Sequence, residues 1–182
     1  MIRFFDILFS CIGLILLSPF IFVLSIISYF DTGSPIFSQM RVGKGMRAFS
    51  LIKFRSMHVN TGSVATHLVN KNAITPFGKF LRRTKLDELP QMWNVLIGDM
   101  SLVGPRPNLF NQEELIYERS IRGVYKVRPG ITGLAQINEI DMSTPKLLAE
   151  KDAEMIANLN LSNYFKYIFL TISGKGQGDR VK

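Results

Sequence analysis

The sequence predicts an α+β protein in two parts. Residues 1–31 form an apolar membrane anchor, and residues 32–182 form a small, mostly helical domain with short strands. Three observations predict it. From Ile7 to Phe30 runs a 24-residue stretch without a charge, bracketed by Asp6 and Asp31. After Asp31, helical and strand-like patterns alternate between turns marked by Gly and Pro, with no internal repeat and no second hydrophobic core. The charge is uneven: residues 32–112 hold 11 Lys/Arg and 3 carboxylates, a net of +8, whereas the rest of the 182 residues holds 11 of each. A basic stretch behind an apolar anchor predicts an anionic partner: phosphates, nucleic acid or an acidic membrane surface. The 47% apolar content excludes a disordered chain. One cysteine excludes an intramolecular disulfide framework, and with only two histidines a zinc site of His and Cys ligands is untenable.

The anchor comes first. A 24-residue helix is about 36 Å long, enough to cross a hydrocarbon core of about 30 Å. A signal peptide is excluded because only Arg3 precedes the run, which continues past the length of a signal core. Ser18-Pro19 stands mid-run. Proline removes a backbone donor and strands the carbonyl four residues earlier, which the Ser18 hydroxyl can satisfy. Two topologies fit: a kinked spanning helix, and a re-entrant hairpin that enters and leaves on one face. The basic excess after Asp31 puts that side in the cytoplasm.

The remaining elements follow in order. Asp31–Pro35 is a turn, and strand-like pieces at Ile36–Gln39 and Phe49–Met57 flank a Gly43-Lys44-Gly45 turn. Residues 58–73 are polar and read as a loop. Helical patterns occupy Phe77–Leu81 and Asp87–Leu96, the second ended by Gly98-Asp99. Met100–Val103 is short and apolar, and Gly104-Pro105-Arg106-Pro107 is rigid and extended. Helices are predicted over Asn111–Ser120, Thr144–Ala157 and Leu161–Ile172, with a Pro-Gly turn inside Val127–Gln136. The aromatics around Lys166 in the last helix suit the headgroup layer and a core position equally. The tail, Gly174 to Arg180, is Gly-rich and reads as mobile.

Candidate chemistry centres on Arg82-Arg83-Thr84-Lys85-Leu86-Asp87-Glu88-Leu89-Pro90. Pro90 is tolerated only in a first helical turn, which puts the helix start near Asp87. A helix N-terminus and three nearby cations both favour an ionised Asp87. Such a carboxylate can attack an activated phosphorus or hold Mg²⁺ against a diphosphate, and it can equally be a plain N-cap. Arg106 projects from a stiff Pro-Arg-Pro backbone, a geometry that suits bidentate phosphate binding. Arg128-Pro129-Gly130 repeats that logic, with the Thr132-Gly133 amides available to an anion. Lys53 and Arg55 flank Phe54 on a strand and share one face, either solvated or the floor of an anion site.

These residues together resemble the bacterial sugar transferase family, the monotopic polyprenyl-phosphate phosphoglycosyl transferases. The likeness runs from Ser18-Pro19 through Lys53-Phe54-Arg55-Ser56-Met57, Leu86-Asp87-Glu88-Leu89-Pro90-Gln91, Trp93–Leu96, Gly98–Pro107 and Val127–Gln136. It covers nearly the whole chain, which looks like the short members without extra N-terminal transmembrane helices. The resemblance implies transfer of sugar-1-phosphate from a UDP-sugar to undecaprenyl phosphate, with release of UMP, to begin a surface glycan. It implies Asp87 as nucleophile, forming a covalent phospho-sugar, with Glu88 as its partner and both carboxylates available to the required Mg²⁺. Arg82, Arg106 and Arg128 are then phosphate and substrate contacts, joined by Lys53, Arg55 and Thr132. The family also favours the re-entrant hairpin broken at Ser18 and Pro19, with interfacial amphipathic helices on the cytoplasmic face of the bacterial inner membrane. The partners are the donor, the lipid acceptor and the bilayer, with no nucleic acid; homo-oligomerisation is left open. The chain departs from the family at Glu154-Met155, where relatives often carry an aromatic pair, and over Glu139–Thr144, which leaves the sugar open.

Two other readings use the same residues. A membrane-tethered anion-binding module without catalysis explains the charge, but not the Asp87-Glu88 pair inside it or the Pro-Arg-Pro element. A tethered phosphatase working through an aspartyl-phosphate is closer, with Glu88 as its second acid.

Overall fold

The computed structural model describes residues 1–59, 61 and 73–176. The predicted loop at 58–73 falls largely outside these residues, as does the tail from residue 177. One apolar helix, α1 (Ile2–Thr32), leads into a domain whose order is β1 (Ile36–Val42), β2 (Ala48–Phe54), α2 (Pro76–Thr84), α3 (Gln91–Ile97), β3 (Ser101–Val103), α4 (Glu113–Ile121), β4 (Gly130–Thr132), α5 (Leu134–Ile137), α6 (Pro145–Ala157) and α7 (Leu161–Ile172).

α1 is long and apolar enough to cross a membrane, and only 11% of its most apolar 18-residue window is buried, unlike the mostly buried core helix of a soluble protein. It runs unbroken through Pro19, so the two expected arms belong to one helix rather than two joined by a loop. The Ser18 hydroxyl donates to Ile15 O at 2.8 Å, the carbonyl that Pro19 leaves without its backbone donor. The polar residues of α1 bind its two ends to one domain. Arg3 donates to Val95 O (2.6 Å) and Leu96 O (3.0 Å), satisfying carbonyls at the end of α3. Buried Asp6 accepts from Ser101 Oγ, Leu102 N and Tyr164 Oη at 2.9–3.0 Å. At the far end, Asp31 Oδ2 accepts from Thr75 Oγ1 at 2.6 Å. α1 also supplies Leu24 to a core cluster with Phe54 and Leu81, and lays Ile2 and Phe5 against Val103, Met155, Tyr164 and Tyr167.

β1 and β2, at the strand-like pieces expected on either side of the Gly43-Lys44-Gly45 turn, form an antiparallel hairpin in register Ile36 to Phe54 through Val42 to Ala48. Buried Asn94 pins α3 beneath it: Nδ2 donates to Ser50 O and Oδ1 accepts from Ile52 N. α2 begins where Thr75 caps Gly78 N and Pro76 takes the first position. Gly78 lies so close to Ser56 that a Cβ would sit 2.1 Å from Ser56 O, so α2 rests directly on the end of β2. β3 and β4 pair in parallel, a contact that the sequence does not reveal. Gly104 and Gly130 allow it, since a Cβ on Gly130 would lie 2.0 Å from Gly104 N. α7 resolves its two readings by face: Tyr164 and Tyr167 are buried, whereas Phe169 and Ile172 are 70% and 80% exposed.

The Tyr164–Asp6 contact carries a pH dependence. Burial pushes the Tyr164 hydroxyl up from 10.0, and the adjacent Asp6 carboxylate adds to the shift. A folded-state pKa above the unfolded value gives stability that is present below the unfolded pKa and lost as pH rises above it. Tyr125 and Tyr167 are raised as well. Tyr164→Phe is therefore expected to flatten, but not abolish, the loss of stability on going from about pH 9.5 to pH 11. Denaturant midpoints across that range check this, and equal slopes in variant and wild type would refute it.

Candidate active site

The Asp87-Glu88 pair is built by a reversal of chain direction. Lys85 ends α2 in the left-handed region (φ 57°), and a single 3₁₀ turn over Leu86–Glu88 follows. Pro90 is the N-cap of α3 rather than a residue of its first turn, so the α-helix starts at Gln91, four residues later than expected. The proline is accommodated because the preceding turn uses shorter-range bonds, Glu88 N to Lys85 O and Leu89 N to Leu86 O, neither of which needs the Pro90 nitrogen. Leu86 and Leu89 pack against the Phe54–Leu81 cluster. That packing holds both acidic residues in place, and both are buried, at 5% and 9% exposure.

Burying carboxylates requires partners. Arg106 Nη2 donates to Glu88 Oε1 at 2.8 Å, from the Pro-Arg-Pro element that the sequence singles out. Arg82 is buried in α2; its Nε donates to Ser56 Oγ at 2.8 Å, and its Nη1 is buried without a hydrogen-bond partner among the described residues. Lys85 stands beside the pair. Burial lowers its pKa, Glu88 works against that shift, and Arg106 adds to it. Lys53 shares a small cavity with Arg41, Gln91 and Arg106. Arg41 and Gln91 are functional candidates that sequence reasoning missed, though both lie within the motifs already noted or one strand away. A larger cavity of about 360 Å³ has Glu88 in its wall, together with Lys85, Leu89, Met92, Ile131, Thr132 and Ile168 among others.

The other predicted residues divide: Lys53 and Thr132 line cavities shared with Arg106 and Glu88, whereas Arg55 and Arg128 bond elsewhere. Lys53 and Arg55 do share a face, both over the Phe37 ring at 5.8 and 5.3 Å. Arg55, however, is directed to the Ser34 turn, donating to Ser34 O at 3.0 Å. Arg128 Nε donates to Gly98 O at 2.7 Å, at the opposite end of α3 from the acidic pair. Thr132 joins Thr171 by a 2.5 Å hydroxyl contact on the wall of the larger cavity. Arg83 is exposed. Ser18 and Pro19 are exposed on α1.

The buried acidic pair thus lies in a cationic surround, beside an apolar cavity. Comparison with known proteins decides the family, since the bacterial sugar transferase profile matches residues 1–176. The chain belongs to the bacterial sugar transferases. It is 42% identical over 178 residues to a UDP-glucose:undecaprenyl-phosphate glucose-1-phosphate transferase of Klebsiella pneumoniae, covering 92% of this chain and 38% of that protein. It is 34% identical to a UDP-galactose-lipid carrier transferase of Erwinia amylovora, over 93% of this chain and 39% of that one. The chain thus spans about two-fifths of these relatives. It matches the exopolysaccharide production protein PSS of Rhizobium leguminosarum at 36% identity over 93% of this chain and 92% of the relative.

The donor set of this sugar transferase suits a particular kind of metal site. Among the described residues, no three His, Cys, Asp or Glu side chains gather where they could hold an ion. Asp87 and Glu88 are adjacent oxygen donors, and Mg²⁺ commonly takes one or two carboxylates and fills its octahedron with water and substrate phosphates. The residues therefore fit a Mg²⁺ that arrives with a diphosphate, and not a resident ion caged by protein alone.

Proposed function

We propose that this protein transfers sugar-1-phosphate from a UDP-sugar to undecaprenyl phosphate, beginning assembly of a surface glycan at the cytoplasmic face of the bacterial inner membrane. The observation that carries the proposal is the buried Asp87-Glu88 turn, with Arg106 on Glu88 and the unpartnered Nη1 of Arg82 among the surrounding cations. The names of the relatives support the donor and the acceptor.

The proposed reaction gives each residue a role. An Asp87 carboxylate oxygen attacks the sugar-bearing phosphorus of the donor. The bond from that phosphorus to the bridging oxygen breaks, and UMP leaves with the electron pair. An oxygen of undecaprenyl phosphate then attacks the same phosphorus, and the bond to Asp87 breaks to regenerate the carboxylate. Mg²⁺, bound by Asp87 and Glu88 together with the diphosphate, would offset charge on the phosphates. Arg106 and Arg82 add fixed positive charge where the phosphates sit. A covalent intermediate lets one site serve a soluble donor and a lipid acceptor in turn. The 360 Å³ cavity beside Glu88 suits the first isoprene units of the acceptor, with Lys85 at its polar rim. The anchor is read as re-entrant because Arg3, Asp6 and Asp31, at its two ends, all bond to the same domain.

Intact-mass measurement after incubation with a panel of UDP-sugars and Mg²⁺, without acceptor, tests the proposal. One donor is expected to add the mass of its phospho-sugar to Asp87 and to release an equal amount of UMP. Neither adduct nor UMP from any donor, with the protein folded, would overturn it and favour an anion-binding module.

A further inference from the structure

Arg119 lies on α4, fully buried, away from every motif that points to the site. Its guanidinium makes four hydrogen bonds. Nε and Nη2 donate to Asp152 Oδ2 on α6 at 3.0 and 2.7 Å, and Nη1 donates to Asn108 Oδ1 and to the main-chain carbonyl of Arg106, both at 2.8 Å. Tyr125 Oη steadies the same Asn108 oxygen at 3.0 Å. A buried ion pair is a poor way to gain stability, because well-packed apolar side chains of similar volume do as well or better. Its specific product here is the bond to Arg106 O. Only the arginine fork can reach a carboxylate, an amide oxygen and a main-chain carbonyl at once.

That carbonyl is one of three in a row held from outside the segment. Pro105 O accepts from Gly130 N at 2.9 Å, Arg106 O accepts from Arg119, and Pro107 O accepts from Arg41 Nη1 at 3.2 Å. Each bond comes from a different element. Proline fixes φ on both sides of Arg106 and leaves ψ free, and a fixed carbonyl orientation is what sets ψ. With its backbone held this way, Arg106 extends its side chain 2.8 Å from Glu88.

We propose that Arg119, seated by Asp152 and Asn108, is a positioning residue for transfer: it fixes the Arg106 carbonyl, and thereby aims the Arg106 guanidinium at Glu88 and the donor phosphates. The inference rests on the phosphotransfer reading above. A double-mutant cycle tests it. Arg119→Lys keeps the charge beside Asp152 but cannot make the fork. It is expected to lower kcat about tenfold or more in the otherwise native protein and less than about twofold in an Arg106→Ala background, since its effect runs through Arg106. A merely structural residue would lower kcat by the same factor in both backgrounds, and that result would overturn the proposal. If Arg119→Lys fails to fold, Tyr125→Phe, which removes one support of Asn108, enters the same cycle with a smaller effect of the same pattern. A readout without turnover separates this inference from the phosphotransfer reading. In ¹⁵N-labelled protein in micelles, the Arg106 Nε–Hε resonance should broaden or shift in Arg119→Lys as it does in Glu88→Gln. An unchanged Arg106 resonance would refute the positioning role even if the protein transferred no sugar.

Discussion

Asp87→Asn is expected to lower UMP release by more than about a thousandfold and to abolish the phospho-sugar adduct, with no loss of fold. An amide has no anionic oxygen to attack phosphorus, so the covalent route closes at its first step. The fold should survive because side-chain shape is preserved and an amide can still make hydrogen bonds in the carboxylate's place. The turn is fixed by main-chain bonds from Glu88 N and Leu89 N, and by Leu86 and Leu89 packed on Phe54 and Leu81. The neighbouring variant separates the two acids. Glu88→Gln weakens the Arg106 pair and, on the proposed reading, one donor to Mg²⁺, so the adduct should still form, at a reduced rate. Donor-only mass spectra with a thermal melt of each variant read both effects. Native turnover in Asp87→Asn would remove Asp87 as the nucleophile.

Asp87 lies in a segment whose local pattern is legible and whose distant partners are not. Local signals were strong. The strand-like pieces at β1 and β2 and the glycine that ends α3 each act over a few positions, and each corresponds to an observed feature. Contacts across long stretches of chain carried no such signal. Asp6 meets Leu102 across 96 positions, Arg41 meets Pro107 across 66, and Arg119 meets Asp152 across 33. Arg128 shows the limit within one motif. A stiff Pro-flanked arginine wants an oxygen, and the sequence cannot say whether that oxygen belongs to a phosphate or to a helix-ending carbonyl such as Gly98 O.

The second large effect concerns the anchor, and it turns on Asp6. A helix that crossed the bilayer would place its two ends on opposite sides of about 30 Å of hydrocarbon. Arg3 and Asp6 near one end, and Asp31 at the other, all bond to one domain, which supports the proposed re-entrant reading, in which both ends share its side. A cysteine at position 2, in a chain whose Cys11 is replaced by serine, should therefore react with a membrane-impermeant maleimide only after the cytoplasmic face is opened. Labelling in intact cells would refute the re-entrant topology. Asp6→Leu probes what holds the end in place. It leaves Leu102 N, Ser101 Oγ and Tyr164 Oη without their acceptor, at a cost of about 1–3 kcal/mol for each buried group left unmet. The expected total is at least about 3 kcal/mol. Asp6→Asn keeps one acceptor oxygen and should lose less. Because Asp6 joins α1 to β3 and α7, and β3 runs directly into the Pro-Arg-Pro element, Asp6→Leu should also slow transfer while leaving the Asp87 carboxylate intact. Donor-only adduct formation would then persist in Asp6→Leu at a reduced rate, a combination that neither loss of the nucleophile nor global unfolding produces.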